Sequence, residues 1–227
     1  STVTIGYLTP DRTEESYTIT RANYTVGTVF GQMIGNNCAY IKIDDFAANT
    51  GTEFRSTVDS LRGQGAESFI FDLRNNAGTS LNAALIAADY CVPSGLIAQS
   101  QAKDGTTEDL RVSDDTSISQ PMICLVNGST AGGAELFANA LRKMGGAALV
   151  GSATAGQGVV LSEPQSLSDG SAVVITVGLL LDNEGQSWDG TGLTPDVDAA
   201  LTSDEQSSFY NFTVDTDPQI QRALTTL

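Results

Sequence analysis

The chain is 227 residues long, with 27 acidic side chains against 11 basic ones, no histidine and a formal charge of -16. A field of that sign repels nucleic-acid phosphates and anionic lipid, so neither is an expected partner. Without histidine there is no Ser-His-Asp triad, no Cys-His dyad and no His-ligated metal.

The length allows one large domain, or one domain plus a fragment. No run reaches the roughly 18 apolar residues of a membrane-spanning helix. The opening "STVTIGYL" lacks the basic start and apolar core of a signal peptide. Cys38, Cys91 and Cys124 form no CxxC pair, so a zinc or redox site has little support. Buried free thiols are the simplest reading, with one disulfide plus an odd thiol as the alternative.

In chain order, residues 2–8 and 15–21 alternate around the turn-rich "TPDRTE" and predict a β-hairpin. "CAYIKI" (38–43) predicts a strand. A helix follows near 51–63, with Phe54, Val58 and Leu61 at helical spacing. "ESFIFDL" (67–73) is the near-continuous apolar strand of a sheet covered on both faces. A second helix spans roughly 80–90, and "GLIAQSQ" is a strand. "AKDGTTEDLRV" turns at Asp104-Gly105 as a hairpin. "PMICLV" is another buried strand, followed by a helix over about 133–144 and the strand "AALVG". Past Gly158 the pattern changes to strands with turns at Asp169-Gly170 and Glu184-Gly185. Asp217 and Pro218 supply the N-cap and first position of a last helix. The alternation of strand and helix predicts an α/β domain with right-handed crossovers.

Two strand-to-helix junctions could carry chemistry. "FDLRNNAGTS" (71–80) ends a buried strand in a turn, the place where α/β proteins hold ligands. "NGSTAGGAELFANAL" (127–141) sets a knot of small residues before a helix, with Gly132 and Gly133 at its start. Backbone amides at such helix starts can hold an oxyanion or carboxylate. On these residues alone an ordinary strand-to-helix loop is the favoured reading of the first stretch, and a tight turn against neighbouring backbone is the alternative reading of the second.

The segments "TITRANY", "CAYIKIDDF", "FDLRNNAGTSLNAALIAADY", "VNGSTAGGAELFANALRKMGGAALVG", "TAGQG", "LSDGSAVVIT" and "GTGLTPDVD" together resemble the C-terminal processing (tail-specific) serine peptidases. The resemblance runs from about residue 17 onward. It implies a ClpP/crotonase-like α/β core of repeated βαβ units, with additional β-hairpins and a C-terminal helix. Residues 1–22 would be a hairpin closing an otherwise missing PDZ domain, and 23–227 the peptidase-like core. The family's Ser nucleophile, three residues before the Glu matched by Glu135, falls on Gly132. Its Lys base falls on Gln157, and the supporting Gln on Leu161. A Lys can act as base when burial lowers its pKa; a Gln amide cannot. The implied oxyanion amides are those of Gly78 and Gly133. No metal and no cofactor is implied.

The resemblance therefore implies a catalytically inactive core that binds peptide or protein C-terminal segments, in the cell envelope or outside the cell. Three alternatives stand beside it. A rescued peptidase would use Ser129 or Thr130 as nucleophile. For that it has three lysines, of which Lys143 lies roughly 16 Å along the helix from Gly132. A crotonase-like acyl-CoA enzyme would use the similar "VNGSTAGGAEL" segment with Glu135 as acid or base. A scaffold would hold no ligand at all.

Overall fold

The computed structural model describes residues 1–114 and 117–227. Strands β1 (Thr2–Leu8) and β2 (Glu14–Thr20) form the expected hairpin, pairing Thr2 with Thr20 and Leu8 with Glu14. Then follow β3 (Val29–Ile34), β4 (Cys38–Ile43), helix α1 (Thr50–Gly63), β5 (Ser68–Asp72) and helix α2 (Leu81–Asp89). Next are β6 (Gly95–Gln101), β7 (Thr107–Ser113), β8 (Met122–Val126), helix α3 (Gly133–Gly145) and β9 (Ala148–Gly151). The last part holds β10 (Val159–Leu161), β11 (Gln165–Ser166), β12 (Ala172–Val173), β13 (Thr176–Asp182), β14 (Val197–Asp198), α4 (Ser203–Ser207) and α5 (Pro218–Leu224). No helix among the described residues is long and apolar enough to cross a membrane.

The main sheet has the order β14-β9-β8-β5-β4-β3. Its pairs are parallel except for β3, which lies antiparallel to β4. In β5 the side chains alternate between two cores, as the period of a strand requires. Phe69 and Phe71 join the larger core, with Phe54 of α1 and Phe137 of α3. The Phe54, Phe71 and Phe137 rings sit 5.5–5.6 Å apart, tilted or edge-to-face, the arrangement that ring quadrupoles favour. Ile70 faces the other way, toward Ile220 and Ala223 of α5. A second, antiparallel sheet of order β10-β13-β6-β7 leaves β10 at its edge.

The local signals act where the sequence places them. The Ser80 hydroxyl caps α2 by accepting the Ala83 N–H at 3.3 Å. Asp217 caps α5 by accepting from Gln219 and Ile220 at 2.8 and 3.1 Å. Asp104 closes the β6–β7 turn by accepting the Thr106 N–H. Three features escaped the sequence pattern: β3, whose "VFGQMI" lacks clean alternation, the separation of the strands into two large sheets, and the short α4. The disulfide alternative is overturned, because Cys38, Cys91 and Cys124 are all free and buried. Burial pushes the Cys91 and Cys124 thiols upward, which suppresses the reactive thiolate.

The face that carries α5 also buries a charge cluster. Arg74 donates Nε to Asp72 Oδ1 at 2.8 Å and Nη2 to Oδ2 at 2.5 Å. Its Nη1 reaches Asp217 Oδ2 and Gln219 Oε1, both at 2.8 Å. Tyr40 donates its hydroxyl to Asp72 at 2.7 Å. Burial alone would lower the Arg74 pKa, but Asp72 and Asp217 outweigh it and raise the value. Burial, then the Asp72 charge, pushes the Tyr40 phenol upward as well. Two carboxylates therefore surround one guanidinium with almost no water. Arg74→Ala should destabilise the chain by roughly 3–5 kcal/mol, the usual cost of stranding a buried charge. A urea midpoint equal to that of the unaltered chain would show that the cluster does not hold α5 to the sheet.

Candidate functional site

The two junctions meet at the carboxyl end of the parallel strands. After β5 the chain turns through Asn75, Asn76, Ala77 and Gly78. Asn76 is fully buried, donates its side-chain amide to the Ile43 carbonyl at 2.7 Å, and accepts the Gly78 N–H at 2.8 Å. Its own carbonyl accepts from the Ala131 N–H at 3.0 Å, which ties the first turn to the second. Asn75 and Asn127 add a reciprocal pair. The Asn75 N–H donates to Asn127 Oδ1 at 3.1 Å, and Asn127 Nδ2 donates to Asn75 Oδ1 at 2.9 Å.

Gly78 has φ +62, and a Cβ there would lie 2.3 Å from the Ala131 carbonyl oxygen and 2.4 Å from the Gly133 and Ala134 nitrogens. Only glycine fits between these two turns. Gly132 caps α3 with φ 53 and ψ -118, a backbone conformation that residues with a side chain rarely adopt. A Cβ on Gly132 would meet the Ala77 and Gly78 carbonyl oxygens at 3.3 Å and Gln157 Oε1 at 3.7 Å. The positions matched to nucleophile and base are therefore direct neighbours, and neither carries a group able to attack or to take up a proton.

Glu135 explains how Gln157 reaches that place. The carboxylate is fully buried. It accepts the Gly132 N–H at 3.1 Å and the Gly156 and Gln157 N–H groups at 2.8 Å each. The Thr154 hydroxyl donates to it as well, and itself accepts the Leu193 N–H at 2.7 Å. One carboxylate thus fixes the start of α3 against the 154–158 loop. Both oxygens are occupied by donors, three of them backbone N–H groups. Sequence reasoning singled out Glu135 and missed Thr154, whose partner lies 19 residues away.

The amides of Gly78 and Gly133 lie side by side, as the two-junction reading requires, but neither N–H is free. Gly78 donates to Asn76 Oδ1, and Gly133 donates to the Gly78 carbonyl at 3.0 Å. The turn presents carbonyl oxygens to the space beside Gly132, and carbonyl oxygens attract donors and repel an oxyanion. Thr130 is buried, donates its hydroxyl to the Leu73 carbonyl at 2.8 Å and accepts the Asn127 N–H at 3.0 Å. Ser129 is exposed. Lys42 pairs with Asp44, and Lys143 with Glu184 and Asp182; Lys103 sits in the exposed β6–β7 turn. Leu161 is half exposed on β10.

The two glycines should differ sharply on substitution. Gly78→Ala drives a methyl into backbone atoms and should cost at least about 2 kcal/mol. Gly132→Ala meets only contacts of 3.3 Å and longer and should cost only the dihedral strain, on the order of 1–3 kcal/mol. Thermal melts of both variants test the ranking, and a Gly78→Ala protein melting above Gly132→Ala would refute the close approach of the two turns.

Comparison with known proteins gives a consistent result. The model of peptidase family S41 matches residues 37–199. The carboxy-terminal processing protease CtpA of Bacillus subtilis is 33% identical over 184 residues, 81% of this chain and 39% of that protein. The carboxyl-terminal-processing protease of a Synechocystis species is 31% identical over 214 residues, 92% of this chain and 49% of that protein. The chain thus spans about half, or less, of the length of these relatives. Among solved structures, a photosystem II D1 C-terminal processing protease superposes with a TM-score of 0.71 at 24% identity, covering 97% of this chain and 62% of the other. Mature CPAF superposes with a TM-score of 0.61 at 13% identity, over 99% of this chain and 65% of the other. At those identities the structures speak for the fold alone, a mixed α/β arrangement of sheets and helices. The family match over residues 37–199 decides the wider question: this chain belongs to peptidase family S41, the C-terminal processing proteases.

Proposed function

We propose that the chain is a catalytically inactive S41 core that binds peptide or protein C-terminal segments in the cleft beside Gly132. The observation that carries this reading is the Gly132–Gln157 pair: Gln157 Oε1 lies 3.7 Å from where a side chain on residue 132 would begin. The pair has the position of a nucleophile and its base but the chemistry of neither. The occupied amides of Gly78 and Gly133 support the inactive half of this reading, since an acyl intermediate would find no free donor there, and they leave a bound segment to be held by the sheet edge rather than through its carboxylate. The edge strand β10 begins two residues after Gln157, and an extended peptide can add to such an edge through main-chain hydrogen bonds.

On this reading the three parallel pairings β4–β5, β5–β8 and β8–β9 belong to a ClpP/crotonase-like core of βαβ units spanning residues 23–227. Residues 1–22 are closing strands of a PDZ domain; Ile5, Tyr7, Leu8 and Tyr17 are exposed on the hairpin, apolar surface that a partner layer would cover. The resemblance to processing proteases favours a place in the cell envelope or outside the cell. The alternatives have less support. Thr130 spends its hydroxyl on the Leu73 carbonyl, two of the three lysines are held by carboxylates, and the saturated Glu135 is a poor acid or base for acyl-CoA chemistry.

Incubation with an unstructured protein, followed by mass spectrometry, should yield no new C-termini, while a peptide library should show saturable binding. The double variant Gly132→Ser, Gln157→Lys should become reactive toward a fluorophosphonate that the unaltered chain ignores. Cleavage by the unaltered chain, lost in Ser129→Ala or Thr130→Ala, would replace this reading with an active peptidase.

A further inference from the structure

A second cavity, of about 470 Å³, opens at the same end of the parallel strands but on the α5 side of the sheet. Its wall comes from the loops after β5, β8 and β9 and from residues 201–219, which include α4, the segment after it and the start of α5. Its size falls within the range of about 300–1,000 Å³ typical of small-molecule sites.

The chemistry of the wall is selective. In a chain of net charge -16, no charged side chain among the described residues lines this cavity. A carboxylate or phosphate ligand would find no cation there, and a cationic ligand no anion. The wall instead supplies neutral hydrogen-bonding groups: Asn75, Ser129, Ser152, Gln206 and the Tyr210 hydroxyl. Among the described residues the Ser129, Ser152 and Tyr210 hydroxyls have no hydrogen-bond partner, although Ser129 and Gln206 use other atoms to fix their loops.

An aromatic platform completes the site. Tyr210 is 88% exposed, and its ring stands edge-on to Phe209 at 5.3 Å. Phe209 is in turn held by the buried Arg74 guanidinium, 5.0 Å from its ring centre. The exposed ring is therefore braced by its contact with Phe209. A braced aromatic face ringed by uncharged donors and acceptors matches a sugar ring, which has apolar C–H faces and a rim of hydroxyls. A peptide backbone fits less well, since the elements lining the cavity offer side chains rather than a free strand edge.

We propose that this cavity is a second binding site, separate from the Gly132 cleft, and that its ligand is a neutral oligosaccharide. It stands independently of the peptide-binding reading. The test uses cellotriose and chitotriose as probes, titrated into the whole chain by calorimetry and by NMR. At least one trisaccharide should bind saturably at a single site. Tyr210→Ala, a change at an exposed position that leaves the core intact, should weaken that binding at least tenfold. Trigalacturonate, anionic and of the same length, should bind more weakly than the neutral probes. The proposal falls if neither neutral trisaccharide binds saturably, if Tyr210→Ala leaves the affinity unchanged, or if an uncharged capped tripeptide binds the cavity more tightly than the sugars.

Discussion

The buried carboxylate of Glu135 is the interaction on which the site's geometry rests. A charge removed from water must be paid in hydrogen bonds, and this one collects donors from Gly132, Thr154, Gly156 and Gln157. Those donors belong to two segments that share no helix or strand. Because the carboxylate needs all of them, the start of α3 and the 154–158 loop hold one relative position. That position sets residue 132 against residue 157. The site's layout is thus an electrostatic consequence of one buried side chain.

A second buried charge group does similar work on the opposite face. Arg74 binds Asp72 at the end of β5 and Asp217 at the cap of α5. It therefore anchors the turn that leads to Gly78 and at the same time fixes the helix that closes the smaller core. The two charge clusters flank the carboxyl edge of the sheet. Between them run the two turns, bound to each other through Asn76 and through the Asn75–Asn127 pair. Rigidity there comes from paired polar groups, since the turns have few apolar side chains to pack.

The contacts that hold the two turns together are made largely by backbone groups. The backbone contacts of Glu135, Gly78 and Asn76 require nothing from the side chains at 132 or 157. Glycine also relieves residue 132 of the strain that its dihedral angles would impose on a side chain. The turned-in carbonyls of Ala77 and Gly78 then face the vacated space, which becomes a place for donors.

Much of the architecture was legible in the sequence, because it depends on local rules. The apolar runs "ESFIFDL" and "PMICLV", the helical spacing of Phe54, Val58 and Leu61, the Ser80 and Asp217 caps and the Asp104-Gly105 turn all act within a few residues. The motif spacing around Glu135 also marked Gly132 and Gln157 as matched positions. What the sequence could not disclose depends on partners distant along the chain. Strand β3 is stabilised by its neighbour β4 rather than by its own pattern. The bond of Arg74 to Gln219 spans 145 residues, and that of Thr130 to Leu73 spans 57. The internal pairing of the Gly78 and Gly133 amides follows from how closely the two turns approach. The sequence by itself determined which elements form and which side chains stand at residues 132 and 157, since both follow from residue type. Only the tertiary structure decided which backbone donors are spent and which cavities remain open, because those depend on distances that no local pattern encodes.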